Sequence, residues 1–397
     1  METYIVEWIS LIVRWLHVIT GIAWIGASFY FIWLDNSLED PPQWKKDKGI
    51  KGDLWAVHGG GIYEVAKYAG APEAMPKHLH WFKWEAYSTW LTGMVLLAVI
   101  YYLGAESYLI DRRVADLSVV QAVGLGIAFL IGSWFVYTLL CASPLAKRGW
   151  LLGIVLLLAG GVLAWGLTQL FSGRGAYIHF GAIIGTIMVG NVFRVIMPGQ
   201  RKLVAALEAG ADPDPRWGAR AKLRSTHNTY LTLPLLFIMI SNHYPMTYGH
   251  ELNWLVLLVI VVITALSRQY FILRHFRVQR PALLGAAAAA TVVLAAWIAP
   301  KPVATATMDS TALVPRAYGI IRERCASCHA GTPTDEVFTV APGGVMLDTV
   351  DRMVQWAPRI KARSVDNHDM PFMNKTNMTD EERAIIAQWI DAGTPTG

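Results

Sequence analysis

Charge is scarce in this chain of 397 residues: Asp, Glu, Lys and Arg make up 16% of it, against 54% hydrophobic residues. Cysteine is scarcer still, with three in all. Cys141 stands alone in an apolar stretch and reads as a small packed hydrophobe. The other two, Cys325 and Cys328, have no second Cys or His pair to complete a structural zinc site, and no strand-to-helix setting for a thioredoxin-like dithiol. An internal repeat is also lacking. Positive charge is in modest excess, at +5, but it falls in loops between apolar segments and gives no support to a nucleic-acid partner.

What the sequence does have is length of apolar run. Several stretches exceed the roughly 20 residues that cross a bilayer, so the expected fold is all-α, a polytopic membrane helix bundle of about eight spans. These read as Val6 to Leu34, Trp84 to Leu103, Leu117 to Leu140, Trp150 to Phe171, Tyr177 to Met197, Tyr230 to Ile240, Leu252 to Ser267 and Leu283 to Ala299. The sixth is short and must borrow from its flanks. The first is too long and too aromatic for a cleaved signal peptide and has no small-residue cleavage site.

Behind the bundle comes a polar tail that carries Cys325-Ala326-Ser327-Cys328-His329. C-x-x-C-H is the attachment site of a covalent haem c: two thiols bond to the porphyrin edge and the adjacent histidine reaches the iron. Ala312 to Arg324 reads as a helix leading into the motif, and Thr379 to Glu382 as a capping box that opens a last helix from Glu381 to Asp391. That pattern describes a small α-helical cytochrome c domain over 312–397, joined through a linker at 301–311 to a membrane helix-bundle domain over 1–300. Met370, held by Pro371, is the expected sixth iron ligand, with Met373 and Met378 as competitors. A His/Met pair raises the haem potential and suits an electron acceptor close to a terminal oxidase.

Haem c is attached outside the bacterial cytoplasmic membrane, so the tail is expected in the periplasm, and eight spans put the N-terminus there too. Charge agrees. The loops this topology places inside carry eighteen Lys and Arg, Arg224 and Arg268 among them, against Arg112, Arg113 and Arg174 outside; this is the positive-inside pattern.

Polar groups within spans mark function more often than they do in soluble helices. On the first span Ser10, Arg14, His17, Gly21, Trp24 and Ser28 form one stripe. His17 could ligate a b-type haem, bind a quinone or substrate, or hydrogen-bond across helices. His179 on the fifth span is at a depth to pair with it across a haem b, with His243 the alternative; an interfacial histidine bonded to a carbonyl is the plainer reading. A second group gathers at the cytoplasmic ends: Asp35, Asn36, His78, His80, Glu85, Asn191, Arg194, His227, Asn228 and Tyr230. As a set they suit a planar anion, with Arg194 as clamp, Asn191, Asn228 and His80 as further binding residues, and His227 or Glu85 as proton acceptor. Taken singly, each is also an ordinary interfacial hydrogen-bonder.

The segments Arg14-Trp-Leu-His-Val-Ile-Thr-Gly-Ile-Ala-Trp-Ile-Gly26, His80-Trp-Phe-Lys-Trp-Glu-Ala-Tyr87 and His227-Asn-Thr-Tyr-Leu-Thr-Leu-Pro234, followed by the C-x-x-C-H tail, resemble the bacterial membrane-bound urate hydroxylase (urate oxidase) family. The resemblance implies an inner-membrane bundle fused to a cytochrome c domain. It also implies oxidation of urate to 5-hydroxyisourate, with electrons passed to the respiratory chain through a soluble cytochrome c or a terminal cytochrome oxidase. Urate is planar and anionic, in keeping with the polar set at the cytoplasmic ends. Two rival readings remain: a quinol-to-cytochrome c electron-transfer protein, and a cytochrome c shuttle anchored in the membrane lipid beside an oxidase complex.

Overall fold

A computed structural model describes residues 2–276, 278–299, 308–366 and 368–396. Packing divides the chain into two compact units. One holds Met1–Phe171, Gly175–Met239 and Leu258–Thr291, the other Ser172–Arg174, Ile240–Leu257 and Val292–Gly397. Most of the expected linker, residues 301–307, lies outside the described residues.

The first unit is helical, as the apolar runs require. Its long helices, together with those that run on into the second unit, are α1 (Glu2–Ser37), α2 (Trp84–Leu96, continued as a wider π turn over Leu97–Tyr102), α3 (Val119–Ala142), α4 (Gly149–Thr168), α5 (Gly173–Asn191, continued through Val192–Ile196 and Met197–Glu208), α6 (Pro215–Ser241), α7 (Asn253–His275) and α8 (Pro281–Trp297). Among the described residues, five segments are long and apolar enough to cross a bilayer: Ile5–Ser37, Val119–Ala142, Gly149–Thr168, Gly173–Glu208 and Asn253–Arg274. This fits a multi-pass membrane protein. Outward-facing apolar side chains such as Trp15, Ile22, Val120, Trp150 and Val162 stay exposed, which soluble helices avoid and lipid-facing helices need. Several threonine hydroxyls on the spans are satisfied within their own helices: Thr89 donates to Glu85 O, Thr186 to Ala182 O and Thr232 to Asn228 O, which spares them an unpaired polar group in an apolar setting.

Helix α5 is the centre of this unit, with Tyr177, His179, Ile183, Met188 and Asn191 buried. Glycine makes the approach possible. A Cβ on Gly181 would sit 2.6 Å from Ile238, and one on Gly190 would sit 2.4 Å from the Trp134 ring, whereas Gly185 faces open space. Small residues at such contacts let helices in membranes pack backbone to side chain.

A two-stranded antiparallel hairpin, β1 (Ile50–His58) and β2 (Gly61–Tyr68), interrupts the all-α pattern between α1 and α2. From sequence this stretch is expected to be a loop. Its signals are nonetheless present: β-branched and aromatic residues flank Gly59 and Gly60, whose positive φ values of 56° and 81° suit a tight hairpin turn. Lys45, nearly buried, pairs with both Asp53 of β1 and Glu64 of β2.

In the second unit α9 (Ser310–Arg324), α10 (Val350–Ile360) and α11 (Asp380–Asp391) enclose a core built on Leu313, Ala317, Ile321, Met353, Ile386 and Trp389. The first and last were expected; α10 was not. The Thr379/Glu382 capping box forms as read. Arg324 closes this end by holding Glu382 through Nε and Nη2.

Candidate functional site

Three helices of the first unit bring polar side chains to one point. Tyr137 and Cys141 come from α3, Asn191 from α5, and Arg224, His227 and Asn228 from α6. Tyr137 Oη lies 2.8 Å from His227 Nδ1, so phenol and imidazole share one proton across the contact. Asn191, fully buried, donates from Nδ2 to Tyr137 Oη at 2.9 Å and to Asn228 Oδ1 at 2.9 Å, and its Oδ1 accepts from Arg224 Nη1 at 3.3 Å. Asn228 Nδ2 donates to Met188 O at 3.0 Å. The Arg224 guanidinium lies 4.7 Å from the centre of the Tyr137 ring, where a cation is attracted by the π face. The network therefore fixes the His227 ring through Nδ1 and leaves Nε2 outside it. Chemically, this is an imidazole oriented by a phenol, able to take or give a proton at Nε2.

Of the residues singled out from sequence, His227, Asn191 and Asn228 meet here. Arg194 does not: it is exposed on the π turn after α5, with its guanidinium over Phe193 at 5.6 Å. The buried cation of the cluster is Arg224, which hydropathy alone places among the loop charges. His80 is exposed and its Nε2 lies 4.0 Å from Glu85 Oε1. Glu85 Oε2 is buried and reaches no hydrogen-bond partner among the described residues.

The two candidate haem b ligands lie at different levels along α2. His17 Nδ1 donates to Thr89 O at 3.0 Å, lies 3.0 Å from Thr92 Oγ1, and its ring faces Gly93. His179 faces Tyr101 and Tyr102 instead, at 6.4 and 5.7 Å between ring centres. About ten residues of helix separate those levels, roughly 15 Å at 1.5 Å per residue, so the histidines do not oppose each other across one ring. His179 Nδ1 donates to Gly175 O at 2.9 Å, while Nε2, like Tyr102 Oη, is buried and reaches no partner among the described residues. Both orphaned atoms converge on Gly126, where a Cβ would lie 2.7 Å from Nε2 and 3.1 Å from Oη. His243 is exposed.

Another buried cation lies on α7. The seventh span was read as ending at Ser267, yet the helix continues to His275 and carries Arg268 inward, where it is 6% exposed. Its Cζ is 4.6 Å from the centre of the Phe29 ring of α1. The next residue, Gln269, accepts a hydrogen bond from Tyr230 of α6 at Oε1.

The family model for urate oxidase N-terminal matches residues 3–299, the whole run from α1 to α8. The chain belongs to the urate oxidase N-terminal family. Membership makes it a urate oxidase-related protein, an oxidoreductase whose chemistry is urate-related oxidation. No curated protein and no solved structure matches it.

The C-x-x-C-H segment of this urate oxidase-related chain lies beyond the matched region. Cys325 is buried against the core of α9, α10 and α11, and burial pushes its thiol up to about 12. Cys328 is half-buried. His329 Nδ1 donates to Val345 O at 2.9 Å, which puts the lone pair of the neutral ring on Nε2. The Met370 backbone is held at both ends, its N–H donating to Arg363 O at 3.0 Å and its O accepting from Arg383 Nη1 at 2.7 Å. Met378 is packed into the core, while Met370 and Met373 stay half-buried.

Proposed function

We propose that the protein is a membrane-bound urate hydroxylase that converts urate and water to 5-hydroxyisourate, two protons and two electrons, and that the electrons leave through haem c to the respiratory chain. Membership of the urate oxidase family over residues 3–299 is the observation that carries this reading. The first unit then supplies the site, and His227 is the group suited to accept a proton at Nε2 when water adds to the oxidised ring. Tyr137 holds the imidazole and shares a proton with it. Asn191 and Asn228 spend their amides within the network, so they brace the histidine and do not read the substrate edge.

For haem c the residues fit: two cysteines at the right spacing, His329 with its Nδ1 bonded and Nε2 free to ligate, and Met370 on a doubly held backbone. The bound group supplies one-electron acceptance. This unit would sit in the periplasm. For a haem b in the bundle, His179 fits better than His17, having an orphaned Nε2, Phe171, Tyr101 and Tyr102 around it, and a glycine opposite. His17 would then serve as a helix-bridging histidine.

An anaerobic visible spectrum of the purified oxidised protein, taken before and after adding urate, tests this directly, with pyridine haemochrome to count haems b and c. The expected result is reduction of haem c by urate. Reduction by a quinol and not by urate would replace the proposal with a quinol-to-cytochrome c electron-transfer function.

A further inference from the structure

Four cations are buried among the described residues, Lys45, Arg224, Arg268 and Arg383. Three have acceptors: Lys45 pairs with Asp53 and Glu64, Arg224 donates to Asn191, and Arg383 donates to the carbonyls of Ser364 and Met370. Arg268 differs. Its Nε and Nη2 are buried and reach no acceptor, and no carboxylate pairs with it among the described residues. Burying a cation without an acceptor costs more than almost any other local feature of a fold, and the cost is removed when an anion arrives.

Which anion follows from which atoms are empty. Nε and Nη2 are the pair that points the same way along one edge of the guanidinium, the fork that takes two adjacent acceptors of a planar group. Other arginines in this chain use that same pair on a carboxylate, Arg324 on Glu382 and Arg113 on Asp111 among them. In Arg268 the fork is built, desolvated and unused. Phe29 lines its flat side, and the Gln269 and Tyr230 side chains are bonded to one another beside it. Tyr230 is three residues beyond His227, about 4.5 Å along α6 and 60° around it, so this fork and the His227 imidazole border the same part of the helix.

We propose that Arg268 is the anion clamp of the substrate site, holding by its side-on fork a planar anion that presents two adjacent acceptors. The inference rests on the urate reading, under which that ligand is the urate monoanion. Phe29 and the Tyr230–Gln269 pair are its walls. A lipid phosphate offers similar acceptors, and the test separates the two.

Urate turnover by the full-length, haem-loaded protein is measured for wild type, R268Q, R268K and R268A, with haem c content and thermal unfolding reporting the fold. The KM of R268Q is expected to rise roughly ten- to a hundredfold, the loss of a charge-assisted hydrogen-bonded pair, with kcat changed far less. R268K, which keeps the charge without the fork, is expected to rise in KM too, and guanidinium ion added to R268A should restore part of the loss. Wild-type KM in a folded R268Q or R268K overturns the proposal. So does an anionic phospholipid that copurifies with wild type and is lost from R268Q while the urate KM stays put. If wild type does not oxidise urate at all, the functional reading fails and this one with it; an active wild type with indifferent variants sinks only the clamp.

Discussion

At the scale of the residue, the His227 and Tyr137 pair concentrates the chemistry. Replacing His227 by Gln removes the only part of the network that offers a nitrogen lone pair outside it, and kcat for urate should fall by about 10²–10⁴ with KM little changed. A variant retaining full kcat would take His227 out of the reaction. Y137F leaves His227 Nδ1 and one Asn191 N–H without their partner, an unmade buried hydrogen bond that costs about 1–3 kcal/mol. Its thermal unfolding should therefore shift downward even where haem content is unchanged. Arg194, exposed on its turn, gives the contrasting expectation: R194Q should keep stability within about 0.5 kcal/mol, and KM close to wild type, while changes at Arg268 do not.

Among the elements, α5 owes its central place to what it lacks. An alanine at position 190 would drive a methyl into the Trp134 ring, forcing α3 and α5 apart at a cost of roughly 1–3 kcal/mol. The same change at Gly185, which faces nothing within 4 Å, should be tolerated, and G190A against G185A in thermal unfolding separates contact from helix propensity. Equal effects would show that propensity, not packing, sets the result. Helix α11 offers a pH counterpart. Burial alone would raise the Glu382 carboxyl, but the Arg324 fork and the Thr379 N–H outweigh it and hold the group below its ordinary value of 4.5. A depressed carboxyl stabilises the fold above the unfolded value, and that contribution is lost as pH falls through the folded one. Calorimetric unfolding of the full chain should lose stability below about pH 4.5, and E382Q should flatten that limb. An unchanged acid limb in E382Q would assign the loss to other carboxylates.

Across the whole molecule, the sequence revealed whatever hydropathy reports. The positions of the membrane helices, the first and last helices of the C-terminal unit, and the Thr379 cap follow from apolar runs and capping chemistry. It misled where a helix outlasts its apolar stretch. Arg224 and Arg268 lie past the hydropathy boundary and were assigned to loops, yet the backbone hydrogen bonds of α6 and α7 carry on through them and turn both inward. Tyr137 was invisible because a tyrosine in an apolar span looks like any other aromatic. The level of His17 against His179 depends on how α1 and α5 pack on α2, which no periodicity encodes. The hairpin was overlooked for another reason: its turn glycines and branched residues were legible, but the charged stretch around them looked like a connection.

Lys45, which precedes that hairpin and pairs with a carboxylate on each of its strands, has a consequence for handling the protein at the bench. Caged between two carboxylates and nearly shielded from solvent, with its ammonium held protonated above the usual range by Asp53 and Glu64, it should resist amine-acylating reagents that modify the more exposed Lys46 and Lys51. The ratio of modification at these neighbouring lysines, read by mass spectrometry, gives a built-in gauge of whether a detergent extract has kept its fold, and it requires neither substrate nor cofactor.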